Sequence, residues 1–554
     1  MTPASSIRSN ILKIHPQDNV LVALSDLCGG ELVKVDGVSL LLKSDVPAKH
    51  KFAINDLAAG QTIIMYGITV GKATQPIGRG ELLTTANVRH DTAITERKTA
   101  FQGWHAPDVS RWQTRTFLGY HRADGQVGTR NYWLVVPLVF CENRNVSVLK
   151  QAFDEELGFA APQGYRGQVA ELVRYYKEGK LDDINNYHPN GGRAGERRSR
   201  VFPNIDGIKF LTHDGGCGGT REDATNLAGL IAGYIHHPNV AGATVLSLGC
   251  QNTQVTILQD QLKKRNPGFN KPVIVLEQQQ SGSESAMLSE AIRRTFLECV
   301  KANELSRQPA PLSRLTVALK CGGSDGFSGL SANPAIGHTS DLLAALGGRT
   351  VLAEFPELCG VEQELANRCT SDASAERFLR LMREYNAKAK AVGSGFDMNP
   401  SPGNIKDGLI TDAMKSAGAA KKGGTSPVTA VVDFPEYATE PGLNLLCTPG
   451  NDVECVTAQV ASGASVVLFT TGLGTPTGNP IAPVIKLSTN TKLQEKMSDI
   501  IDIDTGPIIS GDRSVLQMGE EVLELVIKVA SGAPTKAELL GQDDFIPWKR
   551  GVSL

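Results

Sequence analysis

Apolar and polar residues alternate in three different ways along this chain. In the first part, short β-branched runs such as NVLVAL, VSLLLK and TIIMYGITVG are separated by turn residues. Short apolar runs of this kind, interrupted by Gly, Asp and Asn, predict strands joined by tight turns. We place a small, mostly β domain at residues 1–95.

The apolar periodicity then stops. Tryptophan, proline, glutamine and charged residues follow one another without a repeat in TERKTAFQGWHAPDVSRWQTRTF. Such a segment cannot present one continuous apolar face, so it predicts a linker at 96–117 that lies across the surface of the protein.

Beyond residue 117, apolar runs alternate with amphipathic segments. GIKFLTH precedes REDATNLAGLIAGYIHH, and ATVLSLGC precedes NTQVTILQDQLKK. This strand-then-helix order predicts a parallel sheet with crossover helices. The stretch SRQPAPLSR interrupts the pattern, which restarts with LTVALK, TVLAEF, TAVVDF, NLLCTPG and SVVLFTTG. We therefore predict a middle α/β domain at 118–308 and a second α/β domain at 309–554.

Composition narrows the class of protein. The 554 residues carry a formal net charge of −2, and no apolar run approaches the length of a membrane span. Neither nucleic acid nor a membrane is indicated as a partner. The ten cysteines show no framework spacing and the first residues do not resemble a signal peptide. We expect a cytoplasmic protein whose cysteines are thiols or metal ligands.

Several glycine-rich or polar loops directly follow predicted strands: HDGGCGGT, GCQNTQ, KCGGSDGFSG, CTPGNDVEC and TTGLGTPTGNP. Parallel sheets bind ligands beyond the carboxyl ends of their strands, so these loops occupy the expected place for a site. None of them spells a dinucleotide or P-loop fingerprint. This argues against a nicotinamide-dependent oxidoreductase.

Four cysteines follow predicted strands in the same way: Cys141, Cys217, Cys250 and Cys321. Thiolates are soft ligands suited to iron or zinc, and neighbouring glycines allow close approach. A free cysteine is more commonly a small buried apolar residue. The residues alone leave both interpretations open.

The histidines His15, His50 and His213 are each either a base, a ligand or a structural residue.

Longer motifs point to one family. IHPQDNV, HKF, GQVGTRN, GCQNTQ, CGGSDGFSGLSANPAIG, NPSPGN and GLNLLCTPGND occur in the order typical of altronate/galactarate dehydratases. The chain resembles that family over essentially its whole length. The resemblance implies an α/β multidomain protein with an N-terminal β-clip (SAF) module, a middle domain that dimerises and a Rossmann-like C-terminal domain with a parallel sheet.

The resemblance also implies an activity. Such enzymes remove water from a small-molecule sugar acid, and the motifs favour conversion of D-altronate to 2-dehydro-3-deoxy-D-gluconate over galactarate or another aldarate or aldonate. A sulfo-lyase of the same superfamily is a nearer alternative than an oxidoreductase or a non-catalytic sugar-acid binding protein. The implied cofactor is Fe²⁺, either mononuclear or in an iron–sulfur cluster, with Mn²⁺ as a second possibility. The implied assembly is a homodimer.

Site residues follow from the matching motifs and the chemistry. Removing a proton next to a carboxylate creates a dianion that a metal stabilises, with a histidine or lysine as the base. The predicted catalytic residues are His15, His50, Lys51 and His213. The predicted metal ligands are Cys141, Cys217, Cys250 and Cys321. The predicted substrate contacts are Ser324, Asp325, Asn333 and Asn404. The chain departs from the family pattern at Leu473 and Thr477, where relatives often carry an arginine and an aromatic residue.

Overall fold

The computed structural model describes residues 10–35, 38–93, 95–100, 103–160, 164–187, 199–551 and 553. Within these ranges no helix combines the length and apolar character needed to cross a membrane. The polar stretch at 185–206 is interpreted from the sequence as an elongated loop; half of it, at 188–198, lies outside the described ranges.

The N-terminal part is built from short antiparallel strands, as its sequence predicts. They form three small sheets, β1-β2-β5, β3-β4 and β6-β7-β8. The strands are β1 (Ile11–Leu12), β2 (Val20–Ala23), β3 (Leu32–Val35), β4 (Val38–Leu41), β5 (Lys51–Ala53), β6 (Thr62–Met65), β7 (Ile68–Ala73) and β8 (Val88–Arg89). The turn between β6 and β7 has positive φ at Tyr66 and Gly67, the geometry whose twist matches that of a two-stranded hairpin.

The segment after β8 crosses the C-terminal domain as an extended strap. The Asn367 side chain accepts hydrogen bonds from the backbone of Thr99 and Ala100, at 2.9 and 3.1 Å. Trp112 is 2% exposed and its indole N–H donates to Glu524 at 2.9 Å. The tryptophan therefore anchors the end of the strap in the apolar core.

The middle domain contains a four-stranded parallel sheet in the order β12-β11-β13-β14 and a three-stranded antiparallel sheet in the order β10-β9-β15. Its strands are β9 (Thr116–His121), β10 (Val127–Gly128), β11 (Tyr132–Pro137), β12 (Gly207–Phe210), β13 (Val240–Ser247), β14 (Val273–Glu277) and β15 (Gln308–Pro311). Its helices are α1 (Asn143–Glu156), α2 (Gly164–Lys177), α3 (Leu181–Asn185), α4 (Arg221–His236), α5 (Val255–Arg265) and α6 (Glu284–Ala302). The predicted strand–helix alternation is confirmed.

The proline-rich stretch at 306–314 contains a strand of this domain. β15 pairs antiparallel with β9, so it returns the chain to the point where the domain began. Proline is tolerated here because β15 is an edge strand that needs few ladder donors.

The C-terminal domain is a seven-stranded parallel sheet in the order β18-β19-β17-β16-β20-β21-β22. Its strands are β16 (Thr316–Cys321), β17 (Arg349–Leu352), β18 (Val428–Val432), β19 (Gly442–Leu446), β20 (Val466–Thr471), β21 (Val484–Ser488) and β22 (Ile503–Asp504). Its helices are α7 (Ala332–Ala345), α8 (Glu362–Arg368), α9 (Asp372–Ala391), α10 (Pro402–Lys406), α11 (Asp412–Ala420), α12 (Asp452–Ala461), α13 (Thr491–Lys496), α14 (Gly506–Ile509), α15 (Val515–Ala530) and α16 (Lys536–Leu540). The five predicted strands are present, and β21 and β22 extend the sheet beyond them.

The two α/β domains share one apolar core and a buried polar seam. At this seam the His237 ring accepts a hydrogen bond from the Asn239 backbone and its Nε2 contacts the Ala464 carbonyl at 3.0 Å. Burial lowers the pKa of His237 to about 3, so the ring is neutral and Nε2 is the donor. The Asn239 amide donates to the Ile481 carbonyl at 2.8 Å. The sheets are therefore held at a fixed relative position.

We expect Trp112→Ala to lower the free energy of unfolding by about 3–5 kcal/mol, because it removes a buried indole and leaves a cavity under the strap. Urea unfolding followed by far-UV circular dichroism measures this. Arg111→Ala is the matched control, since Arg111 is the exposed neighbour. Equal destabilisation by the two variants would contradict the anchoring role of Trp112.

Candidate active site

The glycine-rich loop KCGGSDGFSG lies at the centre of the C-terminal sheet. It follows β16, which lies between β17 and β20, where the strand order changes direction. Ligands of open α/β sheets bind at such a switch point. The loop is pinned to its neighbour, because Gly322 N–H donates to the Thr470 carbonyl and Gly472 N–H donates to that of Gly323. A Cβ at Gly322 would lie 2.6 Å from Asp452 Oδ2, which explains the need for glycine.

Beside this loop three lysines and three acidic residues form a buried lysine–carboxylate cluster, consisting of Lys320, Glu354, Glu357, Lys415, Lys422 and Asp452. Glu354 is at its centre. One of its oxygens binds Lys320 and the other lies 2.6 Å from Lys422 Nζ. Lys320 also lies 2.8 Å from Asp452 Oδ1. Both lysines and Glu354 are almost fully buried.

The second carboxylate of the cluster, Glu357, lies 2.8 Å from Lys415 Nζ. Burial alone would raise the pKa of Glu357, but Lys415, Lys320 and Lys422 outweigh it and lower the pKa to about 2. The cluster thus balances three lysines against three acids, and all of them except the partly exposed Asp452 are buried. Removing a lysine or a carboxylate from the cluster would leave a buried charge without a partner.

Cys321 lies in contact with this cluster. Its sulfur accepts a hydrogen bond from Lys422 Nζ at 2.7 Å and lies 3.4 Å from a Glu357 oxygen. Burial is the largest cause that raises the pKa of Cys321, to about 12, so at neutral pH the group is a thiol. The ligand atoms of Cys321, Glu354 and Glu357 lie within 4.8 Å of one another.

Two features mark this region as a site. Glu354 is a non-glycine residue with φ of 66°, a conformation that costs energy and is held by its ion pairs. Asn399, whose carbonyl oxygen accepts from Lys415 at 3.0 Å, has a buried amide nitrogen without a hydrogen-bond partner. The Ser416 hydroxyl is buried and unpartnered as well, judged against the described residues. Unsatisfied buried polar atoms are rare unless a ligand binds them.

The N-terminal module docks on the same loop. Lys49 Nζ lies 3.0 Å from Asp325 Oδ2 and 2.8 Å from Asp407 Oδ1. The Lys49 carbonyl approaches so closely that a Cβ at Gly326 or Gly408 would lie 2.4 Å from it. Lys51 is buried and donates to the Gly408 carbonyl at 2.7 Å. Burial lowers the pKa of Lys51 to about 7, which is the range of a general base at neutral pH.

The predicted histidines lie in three different places. His50 lies between Lys49 and Lys51, in the part of the N-terminal module that docks on the C-terminal domain, and is half-buried. Its Nδ1 lies 3.2 Å from the Ala48 carbonyl, and burial lowers its pKa. His15 lies against Gly67 within the N-terminal module. His213 lies three residues beyond β12 and is buried; its Nδ1 accepts from Gly215 N–H, so Nε2 donates to the Pro137 carbonyl at 2.8 Å. Both nitrogens of His213 are thus occupied.

The predicted substrate contacts shape the loop itself. The buried carboxylate of Asp325 accepts from Lys49, Thr489 and Ser328. The Asn404 amide donates to the Ser324 carbonyl at 2.7 Å. The Asn333 amide donates to Gly418 at 3.0 Å and its oxygen accepts from Thr470 at 2.6 Å. Their role toward a substrate stays a prediction.

The four cysteines divide into two groups. Cys141, Cys217 and Cys250 are exposed and follow β11, β12 and β13, at one edge of the middle sheet. Their loops touch, because Phe140 N–H donates to the Gly215 carbonyl and Asn252 N–H donates to that of Gly216. Cys321 is buried at the end of β16 in the other sheet. The loop that carries Cys217 lies near α12, because burial and then the negative charge of Asp214 raise the pKa of Glu454, which shares the first turn of that helix with Asp452.

Within the described ranges, no set of three ligand atoms that lies within 4.8 Å includes Cys141, Cys217 or Cys250. Thiolates on one tetrahedral ion would lie about 3.8 Å apart, given metal–sulfur bonds near 2.3 Å. A cluster places its thiolates on different iron atoms and spaces them more widely. Three exposed thiols on adjoining loops are soft donors of the kind that iron or zinc takes.

Sequence reasoning missed most of the lysine–carboxylate cluster. One signal was present for Lys320, which interrupts the apolar strand LTVALK. The residues Glu354, Glu357, Lys415 and Lys422 come from separate segments and look like ordinary surface charges in the sequence.

A parallel α/β sheet with charged, buried groups at its switch point, covered by a small β module, defines a multidomain enzyme with an enclosed polar site. Family models match in three blocks: "Altronate/galactarate dehydratase SAF domain" at 9–91, "D-galactarate dehydratase/Altronate hydrolase, second domain" at 119–303 and "D-galactarate/Altronate dehydratase, C-terminal" at 312–553. The chain belongs to the altronate/galactarate dehydratase family.

Similar proteins align over nearly the full chain. The altronate dehydratases of Bacillus subtilis and Escherichia coli are each 33% identical, covering 98% of this chain and 100% and 99% of their own lengths. The galactarate dehydratase (L-threo-forming) of Escherichia coli is 30% identical over 94% of this chain and 92% of its own.

We expect Glu354→Gln to lower the free energy of unfolding by about 3–5 kcal/mol, because it leaves Lys320 and Lys422 buried without a counter-charge. Denaturant unfolding compares it with Glu376→Gln, an exposed acid on α9 whose loss should cost less than about 0.5 kcal/mol. A Glu354→Gln protein as stable as wild type would show that the cluster is not balanced as described.

Lys51 makes stability depend on pH. Its pKa is 10.5 when exposed and about 7 when folded, so between these values the unfolded chain binds more protons than the folded one. Stability therefore rises with pH in this window. Between pH 7 and pH 9 the free energy of unfolding of wild type should rise by roughly 2 kcal/mol more than that of Lys51→Met. Urea titrations at both pH values measure this, with Lys43→Met as the exposed control. Parallel pH profiles for wild type and Lys51→Met would contradict the burial of the ammonium group.

Proposed function

We propose that this protein is a hydro-lyase that dehydrates D-altronate to 2-dehydro-3-deoxy-D-gluconate. The observation that carries the proposal is the lysine–carboxylate cluster at the switch point of the C-terminal sheet. It is supported by the similarity of the chain to a protein named altronate dehydratase. In this reaction a base removes the proton next to the carboxylate and the neighbouring hydroxyl leaves as water. The resulting enol becomes the 2-keto acid.

The lysines supply what the intermediate needs. Loss of the α-proton turns the carboxylate into a dianion, and ammonium groups held in a water-poor site stabilise such charge strongly. Lys415 and Lys422 are already fixed by Glu357 and Glu354, so they need little reorganisation when the charge develops. The unpartnered Asn399 amide and Ser416 hydroxyl are available to substrate hydroxyls.

We propose Lys51, the first residue of β5, as the base, with the preceding residue His50 as the alternative. Lys51 is suited because burial brings its pKa to about 7. His213 is less suited, since both of its nitrogens are engaged in hydrogen bonds. Docking through Lys49 would bring the base to the loop that follows β16 and exclude water from it.

We assign an iron group to Cys141, Cys217 and Cys250, whose soft and exposed sulfurs fit it. When bound, such a group would act as a Lewis acid toward the hydroxyl that leaves. Cys321 would have to give up its hydrogen bond from Lys422 to join it. Fe²⁺ is the proposed metal, with Mn²⁺ as the alternative for a mononuclear site.

We further propose a cytoplasmic homodimer formed through the middle domain. Exposed apolar residues lie along one side of α2, with spacings of four, four and three positions. They are Tyr165, Val169, Val173 and Tyr176.

The test is an anaerobic assay with D-altronate, Fe²⁺ and a thiol reductant, following the 2-keto-3-deoxy acid. Lys422→Met should lower kcat by about a hundredfold or more. Lys421→Met is the matched control, because the Lys421 side chain is partly exposed and its ammonium lies 4.0 Å from Glu364, which is not a member of the cluster. Equal rates for the two lysine variants would refute the role of the cluster.

Further variants and substrates separate the alternatives. Cys217→Ser should abolish iron binding and turnover together, whereas Cys321→Ala should retain iron. Loss of iron in Cys321→Ala would move the metal to the C-terminal sheet. Turnover of galactarate or sulfolactate without turnover of altronate would show that the family is right and the substrate wrong. Failure of every acid would refute the enzyme assignment.

A further inference from the structure

A second group of metal-type ligands consists of residues that the proposed reaction does not use. A ring nitrogen of His90, Cys359 Sγ and a carboxylate oxygen of Asp412 lie within 4.8 Å of one another. His90 directly follows β8, Cys359 follows a short 3₁₀ turn that ends at Leu358, and Asp412 is the first residue of α11. Three distant segments therefore converge on one point.

Asp412 is the residue that a simple packing role does not explain. It is fully buried, and neither of its oxygens has a hydrogen bond of normal geometry among the described residues; the side-chain donor that acts on it is the Cys359 thiol, itself one of the three converging groups. Nδ1 of His90 is buried and unpartnered as well. A buried carboxylate with so weak a donor is costly unless a cation or a proton neutralises it.

The surrounding charges increase this cost. Burial raises the pKa of Asp412 well above its ordinary value, and the negative charges of Glu357 and Glu362 raise it further. The cation that approaches, Lys415, is already bound by Glu357 and Asn399. Carboxylates therefore outnumber ammonium groups around Asp412, and the ammonium that acts on it is already paired with Glu357.

From this geometry we infer that His90, Cys359 and Asp412 bind a divalent transition-metal ion of the zinc type. An imidazole, a thiolate and a carboxylate form a borderline donor set suited to Zn²⁺, Co²⁺ or Fe²⁺. Binding releases the thiol proton, and the ion neutralises the two anions it contacts. Three protein ligands leave a fourth position for water or for the neighbouring Thr92, which lies against Gly360.

The ion would join the strap to the C-terminal domain. His90 and Thr92 belong to the segment that leaves the N-terminal module, whereas Cys359 and Asp412 belong to the sheet domain. The same junction already holds a direct contact, since the Thr411 hydroxyl donates to the Val70 carbonyl at 2.7 Å. A metal here stabilises the docked position of the module through ligands that the proposed reaction does not use.

Cobalt titration of the full-length protein tests this site. The protein is stripped with a chelator under anaerobic conditions and Co²⁺ alone is added, following the thiolate-to-cobalt charge-transfer band and the bound cobalt per chain. Cys359→Ser should lose one equivalent of cobalt and the matching part of the band. Asp412→Asn should keep the thiolate band but bind at least tenfold more weakly. Cys28→Ser, which removes an exposed cysteine of the N-terminal module, should behave as wild type.

Separate variants distinguish this ion from the proposed iron group. Cys217→Ser should retain the equivalent lost in Cys359→Ser. Addition of Zn²⁺ should raise the Tm of stripped wild type and of Cys217→Ser but not that of Cys359→Ser. If Cys359→Ser fails to fold by circular dichroism, His90→Asn, altered at a half-exposed position, replaces it with the same expectation. Identical cobalt stoichiometry, band and Zn²⁺-induced shift in wild type and the folded ligand variant would overturn the site and leave Asp412 as a protonated acid.

Discussion

The structure of the C-terminal domain depends on the ion pairs around Glu354. Its carboxylate is shared by Lys320 and Lys422, and a second pair, Glu357 with Lys415, lies beside it. In a medium of low dielectric constant neither sign can exist without the other, so the lysines and acids fix each other's positions. This constraint explains why Glu354 adopts an unfavourable backbone conformation. It also explains why the Cys321 sulfur accepts a hydrogen bond from Lys422.

The same loop that borders these charges also receives the N-terminal module. Asp325 and Asp407 bind Lys49, and the glycines at 326 and 408 admit its backbone. One ten-residue segment after β16 therefore meets two requirements, a charged site on one side and a docking surface on the other. The thiol and the carboxylate in KCGGSDGFSG are divided between them, with Cys321 serving the first and Asp325 the second.

Much of the fold could be predicted from local patterns, because periodicity and turn residues act over short distances. The runs LTVALK and SVVLFTTG became β16 and β20, and the glycine-rich loops after them lie where parallel sheets bind ligands. The site was harder to predict. Lys422 and Glu354 are 68 positions apart and are buried only because the sheet brings them together. Nothing local distinguishes Lys422 from its neighbour Lys421, whose side chain is 37% exposed whereas that of Lys422 is 1% exposed.

The contact between Lys49 and Asp407 joins residues 358 positions apart in the chain. Since chains are synthesised from the N-terminus, the β module leaves the ribosome long before its binding surface on the C-terminal domain exists. A small apolar cluster around Leu21, Leu40 and Phe52 lies within the module, whereas Ile63 and Val70 belong to the core that continues into the C-terminal domain. The linker predicted at 96–117 keeps the module attached while the two α/β domains are being made. The enclosed site therefore cannot assemble until the last domain has been synthesised, and an incomplete nascent chain carries the module without the groups it covers.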